Sequence, residues 1–145
     1  MKRNTRTQRK GAAAVEFALV ASLLFVLIFA IISMGLCVWC YNTLSEACQE
    51  GARYAAVRGF GSANDFVCGP AADDAHVQAI VKNYCFIMDP SASVLTIHSS
   101  WDPDNHPGSH VTVSATYKFS WFFGISRFSS ITLKSSHTMA IAQYI

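Results

Sequence analysis

The sequence predicts an α+β protein in which a long N-terminal membrane-spanning helix precedes a small head of one further helix and a three-stranded antiparallel sheet. Two observations predict this architecture. Of the 145 residues 52% are apolar and 14% are charged, and the longest apolar run lies in the first third, which indicates a membrane segment. The last third alternates apolar and polar residues, which is typical of half-buried β-strands.

The predicted spanning segment is residues 17–38, which are 22 positions without a charge. A helix of that length is about 33 Å long and can cross a hydrocarbon core of about 30 Å. A cleaved secretory signal usually has a shorter apolar core of about 7–15 residues. Five of the eleven Lys and Arg residues lie in the first ten positions. The positive-inside rule therefore places the N-terminus in the cytoplasm and residues after about Tyr41 on the far side, which in a bacterium is the periplasm.

The helical pattern continues beyond the spanning segment. Small or apolar residues recur there with a period near 3.6: Leu44, Ala47, Cys48, Ala52, Ala55 and Ala56. Gly59 and Gly61 then favour a helix end. We expect this part of the helix to complete the core of the head, because about 85 residues outside the helix form only a small core of their own.

The head is predicted to begin with a loop and a second helix from about Pro70 to Tyr84, with Pro in the first turn and acidic residues near the positive end of its dipole. Its predicted apolar stripe is Val77, Ile80, Val81 and Tyr84. Alternation predicts strands at 93–99, 110–119 and 129–142. The connection from Trp121 to Phe128 is unusually aromatic. It either packs into the head or forms a contact patch, and we favour packing or subunit contact.

Glu16 stands at the cytoplasmic edge of the apolar segment, between AAAV and FALV. A carboxylate in hydrocarbon is costly unless it finds water, a partner or a proton, so an acid at this position points to a function. The alternative is that Glu16 lies in the headgroup layer and only marks where the helix begins. The residues alone leave both interpretations open.

The segment GAAAVEFAL after the basic leader resembles the processing site of type IV prepilins, and most closely that of the TadE-like pseudopilins of tight-adherence (Tad, Flp) systems. The segment EGARYAAVRG further along the helix is similar to the same family. The resemblance covers residues 1 to about 60. It implies that a prepilin peptidase cuts after Gly11, that Ala12 becomes the new N-terminus, and that Glu16 and the following Phe17 act in subunit assembly.

The resemblance also implies a pilin-like organisation: a cytoplasmic basic leader (1–11), a transmembrane and spine helix (12–58) and a periplasmic α+β head (59–145). The implied function is that of a minor pilin or pseudopilin in the assembly or initiation of a Tad (Flp-type) adhesive pilus. Such a protein sits in the bacterial inner membrane and could enter an extracellular pilus. The alternative is an uncleaved single-pass membrane anchor that carries a periplasmic binding module.

The resemblance implies protein partners and a lipid environment. The expected partners are the prepilin peptidase, other pilins or pseudopilins, the inner-membrane pilus assembly machinery and membrane lipid. The chain would be a substrate of enzymes and not itself an enzyme. Nucleic acid is not expected, because after Tyr41 the chain has six basic and eight acidic residues.

Two of the five cysteines lie at the outer end of the spanning segment and three lie beyond it. Cys37 and Cys40 form C-V-W-C at the outer end of the spanning helix, whereas a thioredoxin-like motif would start a helix in a βαβ context. Cys68 and Cys85 flank the second helix and are expected to face an oxidising periplasm, so the sequence predicts a disulfide between them. Cys48 is the rival partner for either.

The segment HSSWDPDNHPGSH contains three histidines together with Asp102 and Asp104. Its spacing matches no closed zinc site, and it lacks the glycine and the final glutamate of an EF-hand loop. Asp, Asn, Pro and Gly are also the residues that a hairpin loop requires. We therefore favour the interpretation that these residues form a hairpin turn and not a metal site. With no phosphate loop, nucleophile elbow or H-E-x-x-H motif, the sequence predicts no catalytic residue, metal, cofactor or small-molecule substrate.

Overall fold

The computed structural model of the chain describes residues 5–59, 72–86, 88–89, 91, 93–120 and 130–142, with side chains from residue 11 onward. The elements are helix α1 (Thr5–Val57), helix α2 (Asp74–Tyr84) and strands β1 (Leu95–Asp102), β2 (His110–Phe119) and β3 (Ile131–Ala140). The predicted α+β arrangement is confirmed. The chain divides into two compact units, Met1–Leu36 and Cys37–Ile145.

The first unit contains the N-terminal part of α1. Its large apolar side chains are exposed, as Phe17 at 75% and Leu23 at 72% illustrate. Within the part of the chain that the structure describes, α1 is the one helix long and apolar enough to cross a membrane. A single-pass anchor is therefore consistent with the length and composition of this helix.

The second unit is built on the sheet, whose order is β1-β2-β3 with both pairs antiparallel. Alternate residues of β1 and β2 are buried, and in β3 Leu133 is buried while the residues that follow alternate between exposed and half-buried, as expected for a sheet with one covered face. The covered rows include Ile97 opposite Ala115, and Ala115 opposite Ser135. The predicted strand positions thus agree with the structure to within three residues at each end.

The last part of α1 packs in the core of this unit. The residues of its predicted 3.6-period stripe are all buried, with exposures from 0 to 8%: Leu44, Ala47, Cys48, Ala52, Ala55 and Ala56. Gly51 lies on the same helix, and a β-carbon there would come within 2.7 Å of Val81 Cγ2 and 3.5 Å of Val113 Cγ1. The backbone of α1 therefore approaches both α2 and the sheet closely at this glycine.

Helices α1 and α2 run antiparallel through the second unit. The backbone N–H of Ala72, just before α2, donates to the carbonyl of Arg58 at the end of α1 (2.8 Å). Further along, Val77 and Val81 of α2 lie against Gly51. Successive turns of α2 therefore meet successively earlier turns of α1.

The start of α2 differs from the sequence prediction. The helix begins at Asp74 and not near Pro70, a residue that lies outside the described part of the chain. Asp73 has extended backbone angles, and its carboxylate accepts a hydrogen bond from the His76 N–H (2.8 Å). This is an N-cap, so the first acidic residue ends the loop and does not belong to the first helical turn.

The apolar stripe of α2 is narrower than predicted. Val77 and Val81 are buried, but Tyr84 is 48% exposed and Ile80 only partly covered. Both line a shallow surface groove of about 320 Å³ against Tyr54, Val57 and neighbouring residues of α1. The stripe was wrong for these two residues because α2 contacts the core along one edge only. The predicted aromatic connection, Trp121 to Phe128, lies outside the described residues.

Candidate functional site

The predicted processing and assembly residues all lie in the N-terminal part of α1. Gly11, Ala12, Glu16 and Phe17 are helical and exposed. A β-carbon at Gly11 would meet nothing within 4 Å. The structure therefore presents this stretch as an uncovered helical surface, free for contact with another protein or with lipid.

Helical geometry places Ala12 and Glu16 on one face of α1. They are four residues apart, so their side chains point from neighbouring turns of the same face. Phe17 is 75% exposed on the adjoining face. If the chain were cut after Gly11, the new amino group and the carboxylate would lie about one turn, or about 6 Å, apart along the helix axis.

The Asp and His segment after β1 forms a turn. The Asp104 carboxylate accepts hydrogen bonds from Ser109 Oγ (2.7 Å) and the His106 N–H (3.0 Å). The Ser109 hydrogen bond, more than any other contact, holds the pKa of Asp104 below its usual value. Gly108 has φ of +93°, a conformation that favours glycine. These contacts are those of a hairpin connection.

The other two histidines of this segment do not converge on Asp104. His98 pairs with Ser114, and His110 pairs with Asp102, in the β1–β2 register, and both histidines are exposed. Among the described residues no group of three or more His, Cys, Asp or Glu side chains could hold a metal ion. The hydrogen bonds of Asp104 within its own turn are those expected of a hairpin connection.

The cysteines of the described part are Cys37, Cys40, Cys48 and Cys85, all with free thiols. Cys37 and Cys40 lie in the interior of α1, away from any helix start. Cys48 and Cys85 are buried, at 0% and 1% exposure. Cys68 lies outside the described residues, so its predicted disulfide with Cys85 stays a prediction.

Asp74 makes a contact that the sequence does not reveal. Its carboxylate accepts hydrogen bonds from both the Oγ and the backbone N–H of Ser99 on β1, the latter at 3.0 Å, and from Gln78 Nε2 at 2.6 Å. The bond from the Ser99 hydroxyl is the main cause that lowers the pKa of Asp74. Ser99 itself is 4% exposed, so this acid ties α2 to the sheet and satisfies a buried hydroxyl.

Fold and site together define a class of protein: an α+β head that follows a single span-capable helix, with an uncovered glycine and glutamate near the start of that helix. The family model described as TadE-like protein matches residues 11–53. The match begins at Gly11 and includes Glu16, and it confirms the resemblance to the TadE-like family over α1. No curated protein and no solved structure matches the chain.

Proposed function

We propose that the chain is a minor pilin or pseudopilin that acts in the assembly or initiation of a Tad (Flp-type) adhesive pilus. The observation that carries the proposal is the TadE-like match, which starts at Gly11 and extends to Arg53. The match thus contains both the exposed N-terminal part of α1 and most of the part that packs in the head. The proposed partners are a prepilin peptidase, other pilins or pseudopilins and the inner-membrane assembly machinery.

The proposed orientation has the N-terminus in the cytoplasm and the head in the periplasm. It is supported by the five basic residues among the first ten positions and by the charge-free run that follows. The exposed large apolar side chains of the first unit need an apolar environment. In this proposal the inner membrane supplies it before assembly, and neighbouring subunits supply part of it in a fibre.

Processing after Gly11 is the first proposed step. Gly11 lies inside α1, and a peptidase must bind an extended backbone segment around the bond that it cuts. Glycine lowers the stability of a helix interior by about 0.5–1 kcal/mol relative to alanine. The helix therefore opens more easily at Gly11 than at the three alanines that follow it, and the glycine also offers no side chain to obstruct the approach.

Pairing of charges is the second proposed step. Cleavage exposes an α-amino group at Ala12 that is cationic at neutral pH, about one helical turn from Glu16 along the axis. At about 4 Å and an effective dielectric constant near 20, the amine of one subunit and the glutamate of its neighbour attract by roughly 4 kcal/mol. This attraction offsets the desolvation of both groups and fixes the axial register between adjacent helices.

Glu16→Ala tests the proposal in cells. We expect normal membrane insertion and normal cleavage but a loss of pili, because the amine of the neighbouring subunit has no partner. The matched control is Glu46→Ala, which removes another exposed acid of α1 from outside the charge-free segment and should leave piliation unchanged. Pili are counted by electron microscopy, and the mass of the membrane-extracted protein reports cleavage.

Two results would contradict the proposal. Wild-type piliation of Glu16→Ala would remove the role of the carboxylate. An intact mass that includes residues 1–11 in the wild-type protein would favour the alternative, an uncleaved single-pass anchor that carries a binding module.

A further inference from the structure

Cys48 and Cys85 occupy matching positions on either side of the contact between α1 and α2. Gly51 of α1 meets Val81 of α2. Cys48 lies three residues before Gly51, and Cys85 lies four residues after Val81. Because residues three or four apart share a helix face, and because the helices are antiparallel, both cysteines lie about one turn from the contact in the same direction.

Both thiols lie in the interior of the head. Both side chains are buried, and the Cys48 thiol donates to the carbonyl oxygen of Ser135 on β3 (3.7 Å). Burial is the main cause that raises the pKa of Cys85 to about 11, and the Cys48 thiolate is the next. Cys40 raises the pKa of Cys85 in the same way, but less. The choice of Cys48 as the partner rests on its position one turn from the contact of Gly51 with Val81.

We propose that Cys48 and Cys85 form a disulfide that links α1 to α2 in the core of the head. The proposal rests on the proposed function in one respect, that the head faces an oxidising compartment. The sequence alone favoured Cys68 as the partner of Cys85. The described geometry instead favours Cys48, and the two pairings exclude each other.

The bond forms by thiol–disulfide exchange with a disulfide-bearing oxidant. The thiolate of one cysteine attacks a sulfur of the oxidant to give a mixed disulfide, and the second cysteine then attacks that intermediate. The overall reaction breaks the two cysteine S–H bonds and the disulfide bond of the oxidant. It forms the Cys48–Cys85 disulfide and leaves the oxidant as two thiols. The oxidant thus accepts two electrons. The buried position implies that this occurs before the core closes.

The chain position of Cys85 permits the small shift that bond formation needs. Cys85 is the C-cap of α2, with φ of −85° and ψ of 32°, and a turn follows it. Its N–H donates to the carbonyls of Val81 (3.1 Å) and Lys82 (3.2 Å), and its carbonyl accepts from the N–H of Met88 in the turn (2.9 Å), so only its N-terminal side is held by the helix. Cys48, in contrast, is held in the interior of α1, so Cys85 is the residue that adjusts to disulfide geometry.

A peptide map of the full-length protein tests the pairing. The protein is extracted in detergent with free thiols alkylated, digested without reductant and analysed by mass spectrometry. We expect a linked peptide pair that contains Cys48 and Cys85, with Cys68 alkylated. Cys68→Ser is the matched control and should retain the bond, whereas Cys48→Ala should lose it. A Cys68–Cys85 peptide, or alkylation of both Cys48 and Cys85 in every sample, would overturn the proposal.

A second experiment tests the disulfide independently of the proposed orientation of the chain in the membrane. The purified protein is reduced, partly unfolded in urea and refolded with oxidised glutathione. Formation of the Cys48–Cys85 bond there supports the inference, and its absence from protein taken from cells would then count against a periplasmic head. Failure to form in the refolded protein overturns the inference and leaves the proposed function intact. With the bond formed, the Tm of the head should rise by roughly 10 °C or more over the reduced protein.

Discussion

Helix α1 places the same residue type, leucine, in opposite surroundings in its two parts. Leu27, in the first unit, is 54% exposed, whereas Leu44, in the second unit, is 0% exposed. The exposed part has large side chains such as Phe25 and Phe29, and the buried part is rich in alanine. One continuous helix therefore meets two requirements: large side chains where it must be covered from outside, and small ones where it packs within the head.

The difference in side-chain size between the two parts of α1 reflects the difference between solvation by lipid and packing against protein. In lipid, long apolar side chains are favourable in any orientation, and precise fit is not required. In the head, α1 lies close to α2 and the sheet, and at Gly51 a β-carbon would come within 2.7 Å of Val81 Cγ2, so a small residue is required there. Changes in the first part should therefore affect membrane insertion, and changes in the second part should affect the stability of the head.

The largest expected effect comes from Leu27→Arg. Arginine near the centre of a spanning helix costs about 2.5–3.5 kcal/mol on insertion scales, and leucine contributes favourably there. We expect the fraction of the protein that resists carbonate extraction to fall below that of wild type, although the other apolar residues of the segment still favour insertion. An unchanged fraction would contradict solvation of this position by lipid.

Leucine-to-alanine changes at the two sites sharpen the same comparison. Leu44→Ala leaves a cavity in the core and should lower the free energy of unfolding of the head by about 2–5 kcal/mol, measured by denaturant titration in detergent. Leu27→Ala should leave that free energy unchanged, because the side chain is exposed. Equal losses for both variants would contradict the division of α1 into two environments.

Gly51→Ala has the next largest expected effect. The new methyl group would lie 2.7 Å from Val81 Cγ2, and Val81 is β-branched and buried, so it cannot turn aside freely. Overpacking of this kind lowers the free energy of unfolding by about 1–3 kcal/mol. The better helix propensity of alanine offsets about 0.5–1 kcal/mol of this loss. A net loss of head stability is therefore expected, measured by thermal unfolding.

Gly35→Ala is the matched control for Gly51→Ala. It makes the same change in the same helix at a position where a β-carbon meets nothing within 4 Å. Its effect on head stability should be near zero. If the two alanine variants unfold alike, the close approach of α1 and α2 at Gly51 is not a feature of the protein in solution.

The sequence predicts those features that depend on periodicity. The strand alternation in β2 and the buried face of α1 from Leu44 to Ala56 follow directly from it, and the structure confirms both. Periodicity does not show which elements meet. It therefore missed the contact of Gly51 with Val81, and it placed Tyr84 in the core although α2 leaves that residue half exposed.

The residues of the candidate site are predicted from a sequence motif and not from periodicity or geometry. The sequence predicts Gly11 and Glu16 as site residues because leader, glycine, glutamate and apolar helix occur in order, and the family match includes both residues. The contact of Asp74 with Ser99 could not be found in this way. An acid at the start of a helix suggests a dipole or cap role, and only the packing of α2 on β1 brings the serine to it.

Asp74→Asn is expected to have the smallest effect, on the acid stability of the head. The folded-state pKa of Asp74 is lowered, chiefly by the Ser99 hydroxyl. The carboxylate therefore contributes stability above the unfolded pKa of about 3.9, and this contribution is lost as the pH falls through the folded pKa. Because the group is partly solvated, we expect a loss of about 1 kcal/mol near neutral pH for the asparagine variant.

The pH profile of the Asp74 variant distinguishes a tertiary contact from a local one. Unfolding free energies of wild type and variant should converge as the pH falls below the unfolded pKa of about 3.9, because protonation removes the same charge from the wild type. Asp104→Asn is the comparison: its partners, Ser109 and His106, belong to its own turn, so it should change the global free energy less. Parallel profiles of wild type and Asp74→Asn throughout acid unfolding would mean that the carboxylate does not hold α2 against β1, and other groups would then account for the acid sensitivity of the head.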